Sequence, residues 1–372
     1  MLIDYLTWYK DIEVRLLCKP GIHFLMSSSV DEPTEMLRRD IDRFCRNDIS
    51  DHLRMSNAWG HVPLIESIAA RYEIAADRIV TTNGVSNAIY ILCGALLLAG
   101  DHVVIESPAY EPLVAAPDFI GCEIDSIRRR PPEFRIDADD LESVLKPNSK
   151  LLILSNLHNP SGSLMSDDDL RDIASLAQSV SPKITIVVDE IYHDLGPREC
   201  KHAVSLNDCF VSLDGLTKVY GLGSIHTGWI VAQSEVASKV RNLQVIVEGS
   251  GSKVNDGIAS VVVDNLDEYR DRSIGHVAKN RELLTTHLGP LIDEGLLSGA
   301  IPEFGCIYFP RIRSLNNTDS FVDELASRHN IYVVPGRFFG EPSHIRIGFG
   351  GESERLDAGV AKLAEAMGRL LT

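Results

Sequence analysis

Polar residues stand just after several predicted β-strands, where their side chains could carry chemistry. Lys218 follows one strand, and Asn159 begins an Asn-Pro-Ser-Gly turn after another. Asp189 ends a third strand, with Tyr192 three residues later. A lysine amine forms a Schiff base with an aldehyde, a carboxylate pairs with a pyridinium nitrogen, and an amide and a phenol can hydrogen-bond a ring oxygen. Together these groups supply what a pyridoxal phosphate site requires.

An anion site is predicted at the start of one helix. The turn Gly84-Val85-Ser86 stands where a β-rich run gives way to a helical stretch. Backbone N–H groups at a helix start, together with the Ser86 hydroxyl, favour a bound phosphate. We expect the phosphate of the cofactor to bind there.

A parallel sheet would bring these residues together, because ligands of open α/β sheets bind beyond the carboxyl ends of the strands. From about residue 78, short runs rich in Val, Ile and Leu alternate with helical stretches such as Ser86–Leu98 and Asp168–Ser179. This alternation predicts an α/β fold with a seven-stranded, mainly parallel sheet and helices on both faces. The predicted strands are Arg78–Thr82, His102–Glu106, Cys122–Ile127, Leu151–Ser155, Ile184–Asp189, Phe210–Leu213 and Gly228–Ala232.

A smaller α+β domain is predicted after residue 255, where the pattern changes to long amphipathic stretches around short strands. The stretches are Asn255–Gly289, Asp319–Arg328 and Glu352–Leu371, and the strands lie near Ile307–Phe309, Ile331–Val334 and His344–Gly348. We expect residues 46–255 to form the large domain. Residues 1–45 would pack on residues 256–372 to form the small one.

Composition narrows the class of partners. The 372 residues include 36 basic and 53 acidic side chains, a formal net charge of −17, which disfavours binding to nucleic acid or to an anionic membrane surface. The longest apolar run, Ala88–Ala99, is too short to span a bilayer. The N-terminus lacks the basic start and apolar core of a secretory signal, so we expect a cytoplasmic protein. Seven cysteines without a CxxC pair predict no disulfide and no metal site.

Eight motifs in a fixed order give the chain a resemblance to one family over nearly its whole length. They are Gly60-x3-Leu64-x3-Ile68-Ala69, Thr82-Asn-Gly84-Val-Ser86, Glu106-Ser-Pro108-Ala-Tyr110, Asn159-Pro-Ser-Gly162, Asp189-Glu-Ile-Tyr192, Lys218-Val-Tyr-Gly221-Leu, Val334-Pro-Gly336 and Arg346-Ile-Gly348. The chain resembles the class I/II aminotransferases of the fold type I pyridoxal phosphate-dependent enzymes. A chance match of all eight motifs in order is not credible.

The resemblance implies roles around the cofactor ring. Lys218 would form the Schiff base and later move the α-proton of the substrate, while Asp189 would keep the ring nitrogen protonated. Tyr110 would stack on the ring, and Asn159 and Tyr192 would hydrogen-bond its O3′ oxygen.

The resemblance also implies the substrate, the reaction and the assembly. Arg346 would bind the α-carboxylate of a small amino acid substrate in a two-point salt bridge, together with Asn159. The expected reaction is transfer of an amino group from an L-amino acid to a 2-oxo acid. A homodimer with active sites at the interface is expected.

The phosphate site departs from the family pattern. His226 stands where an arginine is usual, eight residues after the lysine, and Gly215 replaces a hydroxyl residue, for which Thr217 could substitute. Met55 takes the position of a tyrosine that a neighbouring subunit usually lends. We hypothesise that His226 or Lys253 supplies the missing positive charge, with a solvated loop position favoured for Lys253.

Other outcomes of the same chemistry stay open. The carbanion that forms at the substrate α-carbon can instead eliminate or replace a β or γ substituent or cyclise, as in capreomycidine synthase-like members that use hydroxylated arginine. A third alternative is a pyridoxal phosphate-binding protein without turnover, against which the retention of Lys218, Asp189, Tyr192 and Arg346 argues. The N-terminal segment from His23 to Ser29 is unlike common members and adds a titratable group in His23, for which an ordinary structural position is favoured.

Overall fold

The computed structural model describes residues 4–16, 19–46, 49–249 and 251–371. Predictions for the first three residues, for Cys18 and for Ser250 lie outside this part. The helices are α1 (Asp4–Leu16), α2 (Thr34–Arg46), α3 (Ile49–Arg54), α4 (Val62–Tyr72), α5 (Val85–Leu96), α6 (Glu111–Ile120), α7 (Ala138–Val144), α8 (Asp167–Val180), α9 (Ser234–Val247), α10 (Lys253–Val263), α11 (Leu266–Asp293), α12 (Asp319–His329) and α13 (Ser353–Leu371). The strands are β1 (His23–Phe24), β2 (Ser56–Asn57), β3 (Gly60–His61), β4 (Ile79–Thr82), β5 (His102–Ser107), β6 (Glu123–Arg130), β7 (Arg135–Ile136), β8 (Ser149–Ser155), β9 (Thr185–Asp189), β10 (Phe210–Gly215), β11 (Gly228–Val231), β12 (Leu297–Ser298), β13 (Ile307–Tyr308), β14 (Arg311–Ile312), β15 (Ile331–Tyr332), β16 (Val334–Pro335) and β17 (Ile345–Gly348).

A mixed sheet of eight strands forms the centre of the molecule, in the order β4-β11-β10-β9-β8-β5-β6-β7. Strands β10, β9, β8, β5 and β6 pair in parallel, whereas β11 runs antiparallel to both its neighbours. The predicted α/β class and all seven predicted strands are confirmed. The prediction of only seven strands is wrong, because β7 adds a two-residue antiparallel edge strand beside β6 that is too short to stand out in the sequence.

The central strands are apolar because helices cover both faces of the sheet. Every residue of β4, β10 and β11 is buried, and α5 packs against β10 and β11. Helix α8 is capped by Ser166: the Ser166 hydroxyl accepts the Asp169 N–H at 3.1 Å, and the Asp169 carboxylate accepts the Ser166 N–H at 2.8 Å. This reciprocal pair satisfies two backbone donors at the helix start.

Smaller sheets and long helices follow residue 252. Strand β17 lies between β13 and β16, and α11 packs along α13. The predicted single stretch Asn255–Gly289 is instead two helices, because the chain leaves helical geometry at Asn265 (φ −116°, ψ 18°). The Asn265 side-chain amide donates to the Val261 carbonyl at 2.9 Å, a local bond by which asparagine competes with helix continuation.

The N-terminal segment contacts both parts of the molecule. Strand β1 pairs in parallel with β15, and helix α1 packs its aromatic side chains against Phe338 and Phe339. The Glu111 carboxylate accepts the backbone N–H groups of Tyr5 at 3.0 Å and Leu6 at 2.9 Å, which caps the start of α1. Across the described ranges, every helix is too short or too polar to cross a membrane.

Candidate functional site

The predicted residues meet at one edge of the central sheet because their strands are neighbours. Strands β8, β9 and β10 pair in parallel, with Ser155 opposite Asp189 and Leu213 also opposite Asp189. The segments that carry Asn159 and Lys218 leave the sheet on either side of Asp189. The carboxyl ends of three adjacent strands therefore supply the amide, the carboxylate and the amine.

Lys218 is a partly buried amine that loses its proton more easily than an ordinary lysine. Burial and, to a smaller extent, the Arg346 guanidinium lower its pKa to about 8, against the Asp189 carboxylate, which raises it. Its Nζ atom donates to the Ser28 hydroxyl at 3.3 Å. A substantial neutral fraction near pH 8 makes this amine a competent nucleophile towards an aldehyde.

Asp189 is 5% exposed, and burial raises its pKa to about 7. The Ile191 N–H donates to its Oδ1 atom at 3.2 Å and lowers the pKa, whereas the nearby Glu106 and Glu190 carboxyls raise it. A cationic partner stabilises the charged form of a buried carboxylate whose pKa is raised in this way. A protonated pyridine nitrogen is such a partner, so Asp189 fits the cofactor ring.

Arg346 lies on β17 and is completely buried. Its Nη1 atom donates to Asn159 Oδ1 at 3.1 Å, and its Nη2 atom donates to the Tyr5 hydroxyl at 2.7 Å and to the Met26 carbonyl at 3.2 Å. Its Nε atom is buried without a hydrogen-bond partner. A guanidinium with an unsatisfied buried donor fits an incoming carboxylate.

Tyr192 and Tyr110 occupy different sides of the site. The Tyr192 hydroxyl donates to the Ser28 carbonyl at 2.8 Å, and burial raises the Tyr192 pKa well above its usual value, so the phenol stays protonated. Burial raises the pKa of Tyr110 to about 12, against a hydrogen bond with Ser86 that lowers it. That bond links the predicted ring-stacking residue to the predicted phosphate turn.

His226 lies directly against the predicted phosphate turn. Gly84 precedes α5 with a φ of +77°, and a Cβ atom placed on it would lie 2.6 Å from Cε1 of the His226 ring. The glycine is therefore required both by its backbone conformation and by this close approach. The Val85 side chain is buried, so only its backbone N–H could reach a phosphate, whereas Ser86 is exposed and Thr217 is partly buried.

Fixed positive charge is scarce at this end of the site. His226 is exposed, and Lys253 is an exposed residue at the start of α10. Glu248 adds negative charge behind the turn, where it accepts the Asn83 N–H at 2.9 Å and bonds the Asn87 amide. The turn offers backbone and hydroxyl donors to a phosphate, and the His226 imidazole lies against it.

Three side chains near Asp189, two buried and one half-buried, have the types that bind metals. Glu190, His193 and His202 each place one ligand atom within 4.8 Å of the others. However, Nδ1 of His202 lies 3.1 Å from the Glu190 carboxylate, which also accepts the Ala203 N–H at 2.9 Å. The two imidazoles stack at 3.9 Å, so their edges run side by side. This geometry fits a hydrogen-bonded support for β9 better than a metal site.

Ser28, Tyr5 and Cys306 also line the site, although the sequence did not single them out. Ser28 bonds both Lys218 and Tyr192, and Tyr5 bonds Arg346. The buried Cys306 thiol donates to the Ser28 carbonyl at 3.6 Å. The Ser27-Ser28-Ser29 run was the available signal for Ser28, but nothing local marks Tyr5, because its contact spans 341 positions.

His23 and Met55, which mark departures from the family pattern, lie away from the side chains of the site. The His23 ring packs near Gly359 of α13, where burial lowers its pKa. Met55 is 44% exposed, and its carbonyl accepts the Val62 N–H at 3.1 Å. Among the cysteines of the described ranges, six are free thiols.

Comparison with known proteins agrees with this arrangement. The family model described as aminotransferase class I and II matches residues 27–363. Capreomycidine synthase from Streptomyces vinaceus is 29% identical over 345 residues, covering 91% of this chain and 85% of that protein. Arginine–pyruvate transaminase from Pseudomonas aeruginosa is 23% identical over 382 residues, covering 97% and 95%.

Solved structures share the fold over nearly the whole chain. The PLP-dependent cyclase OrfR superposes with a TM-score of 0.83 at 28% identity, covering 98% of this chain and 96% of that chain. A double mutant of Thermus thermophilus aspartate aminotransferase gives a TM-score of 0.86 at 18% identity, covering 98% and 97%, which is a likeness of fold alone. The predicted fold type I architecture is thereby confirmed.

Proposed function

Because this chain belongs to the class I and II aminotransferase family, whose cofactor is pyridoxal 5′-phosphate, we propose that it transfers the amino group of an L-amino acid to a 2-oxo acid through a Schiff base on Lys218. The observation that carries the proposal is the Arg346 guanidinium, buried with a free Nε donor and bonded to Asn159 beside the amine of Lys218. An α-carboxylate is the group that amino acids and 2-oxo acids share. One such site therefore accepts both substrates in turn.

The bound cofactor supplies an aldehyde for the amine and a ring that accepts the electron pair released at the substrate α-carbon. Lys218 Nζ takes the proton from that carbon, which its lowered pKa permits near neutral pH. Asp189 holds the proton on the ring nitrogen, because a buried carboxylate stabilises the adjacent positive charge. Tyr192 and Asn159 would orient the ring through its O3′ oxygen, for which the Tyr192 hydroxyl would exchange its hydrogen bond to the Ser28 carbonyl.

Arg346 sets the orientation of the substrate. Its position on β17 would fix the carboxylate, while Lys218, three residues after the end of β10, would face the α-carbon. Helix α1 covers this region with Tyr5, which is 4% exposed. Holding a charged group away from water strengthens its electrostatic interactions with the protein.

A second candidate is cyclisation or elimination at the same α-carbon. The observation that favours it is the similarity to capreomycidine synthase and to the cyclase OrfR, at 29% and 28% identity, against 23% for arginine–pyruvate transaminase. On this alternative the substrate is a hydroxylated arginine or a similar amino acid with a β or γ leaving group. Lys218, Asp189 and Arg346 keep the same roles.

A product assay distinguishes the two candidates. The cofactor-loaded enzyme is given a panel of L-amino acids, including arginine and its hydroxylated forms, with and without 2-oxoglutarate or pyruvate. Transamination predicts that product forms catalytically only with the oxo acid, and that without it one equivalent of pyridoxamine phosphate accumulates. Turnover without an oxo acid would instead establish cyclisation or elimination, and the loss of both in Lys218→Ala is the control.

We also propose that the enzyme works as a homodimer in the cytoplasm. Large apolar side chains stay exposed on adjoining elements: Met55 and Trp59 beside the β2–β3 hairpin, Val62 at the start of α4, and Val254 on α10. A second copy that covers these side chains would remove them from water. Sedimentation at micromolar concentration should give twice the mass of one chain, and Trp59→Glu should give the monomer.

A further inference from the structure

Helix α1 places one phenol directly on the guanidinium that we assign to the substrate. We propose that Tyr5 is a substrate-binding residue, whose hydroxyl donates to the α-carboxylate alongside Arg346. The inference rests on the proposed role of Arg346 and deepens it. The inference gives helix α1 a part in substrate specificity.

Tyr5 and Arg346 bond each other in a way that leaves two donors without acceptors at one edge of the guanidinium. These donors are the Tyr5 O–H group and the Arg346 Nε–H group. Arginine has donors only, so the Tyr5 oxygen accepts from Nη2 at 2.7 Å, and its own O–H proton is available to another acceptor. The Nε atom on the same edge of the guanidinium is buried without a partner. An acceptor with two oxygens and a negative charge satisfies both donors, and a carboxylate has this chemistry.

The aromatic surroundings hold the phenol at this edge. The Tyr5 ring packs 5.6 Å from the Phe339 ring and at 77° to the Tyr110 ring, with centroids 6.4 Å apart. Glu111, the residue after Tyr110, accepts the backbone N–H of Tyr5. Tyr5 is therefore held both beside Tyr110 and beside Arg346.

Burial gives these donors their importance. Arg346 is fully buried and Tyr5 is 4% exposed, so water has little access to their unused N–H and O–H groups. Unsatisfied donors in such a place are costly, and a carboxylate removes the cost for both at once. Tyr5 would thus favour substrates with an α-carboxylate over amines without one.

The test compares two ligands that differ only in the carboxylate. The probes are the reduced conjugates of pyridoxal phosphate with L-alanine and with ethylamine, added to the full chain freed of cofactor, with calorimetry as the readout. The ratio of their affinities measures recognition of the carboxylate. The variants are Tyr5→Phe, Arg346→Lys and the matched control Tyr9→Phe, which removes a hydroxyl one turn further along α1.

We expect the wild-type ratio to favour the alanine conjugate. Tyr5→Phe should lower that ratio by about 3- to 10-fold, as expected for one lost hydrogen bond, with the ethylamine conjugate unchanged. Tyr9→Phe should leave the ratio as it is. Circular dichroism and the melting temperature verify that each variant folds.

The other outcomes separate the two claims. If Arg346→Lys lowers the ratio and Tyr5→Phe does not, the inference about Tyr5 is overturned and the role of Arg346 stands. If Tyr5→Phe raises the ratio, the phenol competes with the carboxylate, which also overturns the inference. If the wild type does not discriminate between the conjugates, both the role of Arg346 and the role of Tyr5 are wrong.

Discussion

The two ends of the site are built in different ways. At the ring end, Asp189 and Arg346 are buried and hydrogen-bonded by protein groups, and the Arg346 Nε atom is left without a partner among the described residues. At the phosphate end, Ser86 and His226 are exposed, and Glu248 puts negative charge behind the Gly84 turn. The ring end holds its charged groups in buried positions, whereas the phosphate end places an exposed histidine, His226, beside the turn.

The difference between the two ends indicates which groups the proposed reaction needs in fixed positions. Proton transfer at the α-carbon needs an amine, a ring partner and a carboxylate anchor in fixed positions, and these are the groups the protein buries. Retention of the cofactor can be achieved by several weaker contacts. The comparison therefore predicts large losses of rate from changes at the ring end and smaller changes of affinity at the phosphate end.

The largest effect is expected at Lys218. Lys218→Ala removes the amine that we propose bonds the cofactor and moves the proton, so activity should fall by roughly 10³-fold or more. The absorbance band of lysine-bound pyridoxal phosphate, near ~420 nm, should be absent. Normal activity in this variant would show that Lys218 is not the lysine that bonds the cofactor.

Asp189→Asn should come next, with a fall in kcat of roughly 10²- to 10³-fold. The amide keeps the size of the side chain and can still accept the Ile191 N–H, but it carries no charge to hold a proton on the ring nitrogen. Steady-state kinetics with the best amino acid of the panel measure the effect. Glu190→Gln, a neighbouring buried carboxylate at the support for β9, is the matched control and should lose much less.

Arg346→Lys should lower kcat/KM by about 10- to 100-fold, mostly through KM. A lysine keeps the positive charge but cannot bond Asn159, Tyr5 and a carboxylate with one planar group. Initial rates over a range of amino acid concentrations measure the change. An unchanged KM would place the carboxylate elsewhere.

His226→Arg should tighten binding of pyridoxal phosphate by about 10-fold, because it puts a permanent charge beside the Gly84 turn. Binding of pyridoxal, which lacks the phosphate, should not change. Lys253→Ala distinguishes the two hypotheses for the missing charge and should leave both affinities unaltered, since Lys253 is exposed on α10. A large loss in that variant would move the phosphate contact to Lys253.

The smallest expected effect is a pH dependence of cofactor capture. Burial lowers the Lys218 pKa to about 8, so its neutral, reactive fraction rises with pH and saturates above that value. Capture of pyridoxal by the cofactor-free protein should accelerate about 8-fold from about pH 7 to 8.5 and then level off. Stopped-flow absorbance measures this, and a rate that keeps rising about tenfold per pH unit to pH 9.5 would indicate an unshifted lysine.

Much of the sheet and of the ring end was predictable from local sequence. Continuous Val, Ile and Leu runs mark strands covered on both faces, and the residues after them are the ones that a parallel sheet gathers at one edge. Lys218, Asp189 and Asn159 therefore come from neighbouring strands, as expected. The resemblance to the family added Arg346, which no local pattern connects to them.

The remaining features depend on contacts between distant segments. The edge strand β7 has two residues, and the break between α10 and α11 is marked by one residue, Asn265, that leaves helical geometry. Ser28 and Tyr5 reach the site only because the N-terminal segment folds back across the small sheets. Periodicity and propensity describe neighbours along the chain, so they carry no information about such contacts.

Reduction of the cofactor-loaded enzyme with borohydride, followed by peptide mass spectrometry, tests the account most directly. The reagent converts the bond between lysine and cofactor into a stable amine that survives digestion. We expect one phosphopyridoxyl group per chain, on Lys218 at the ring end. A label on Lys253 at the phosphate end, or no specific label, would contradict it.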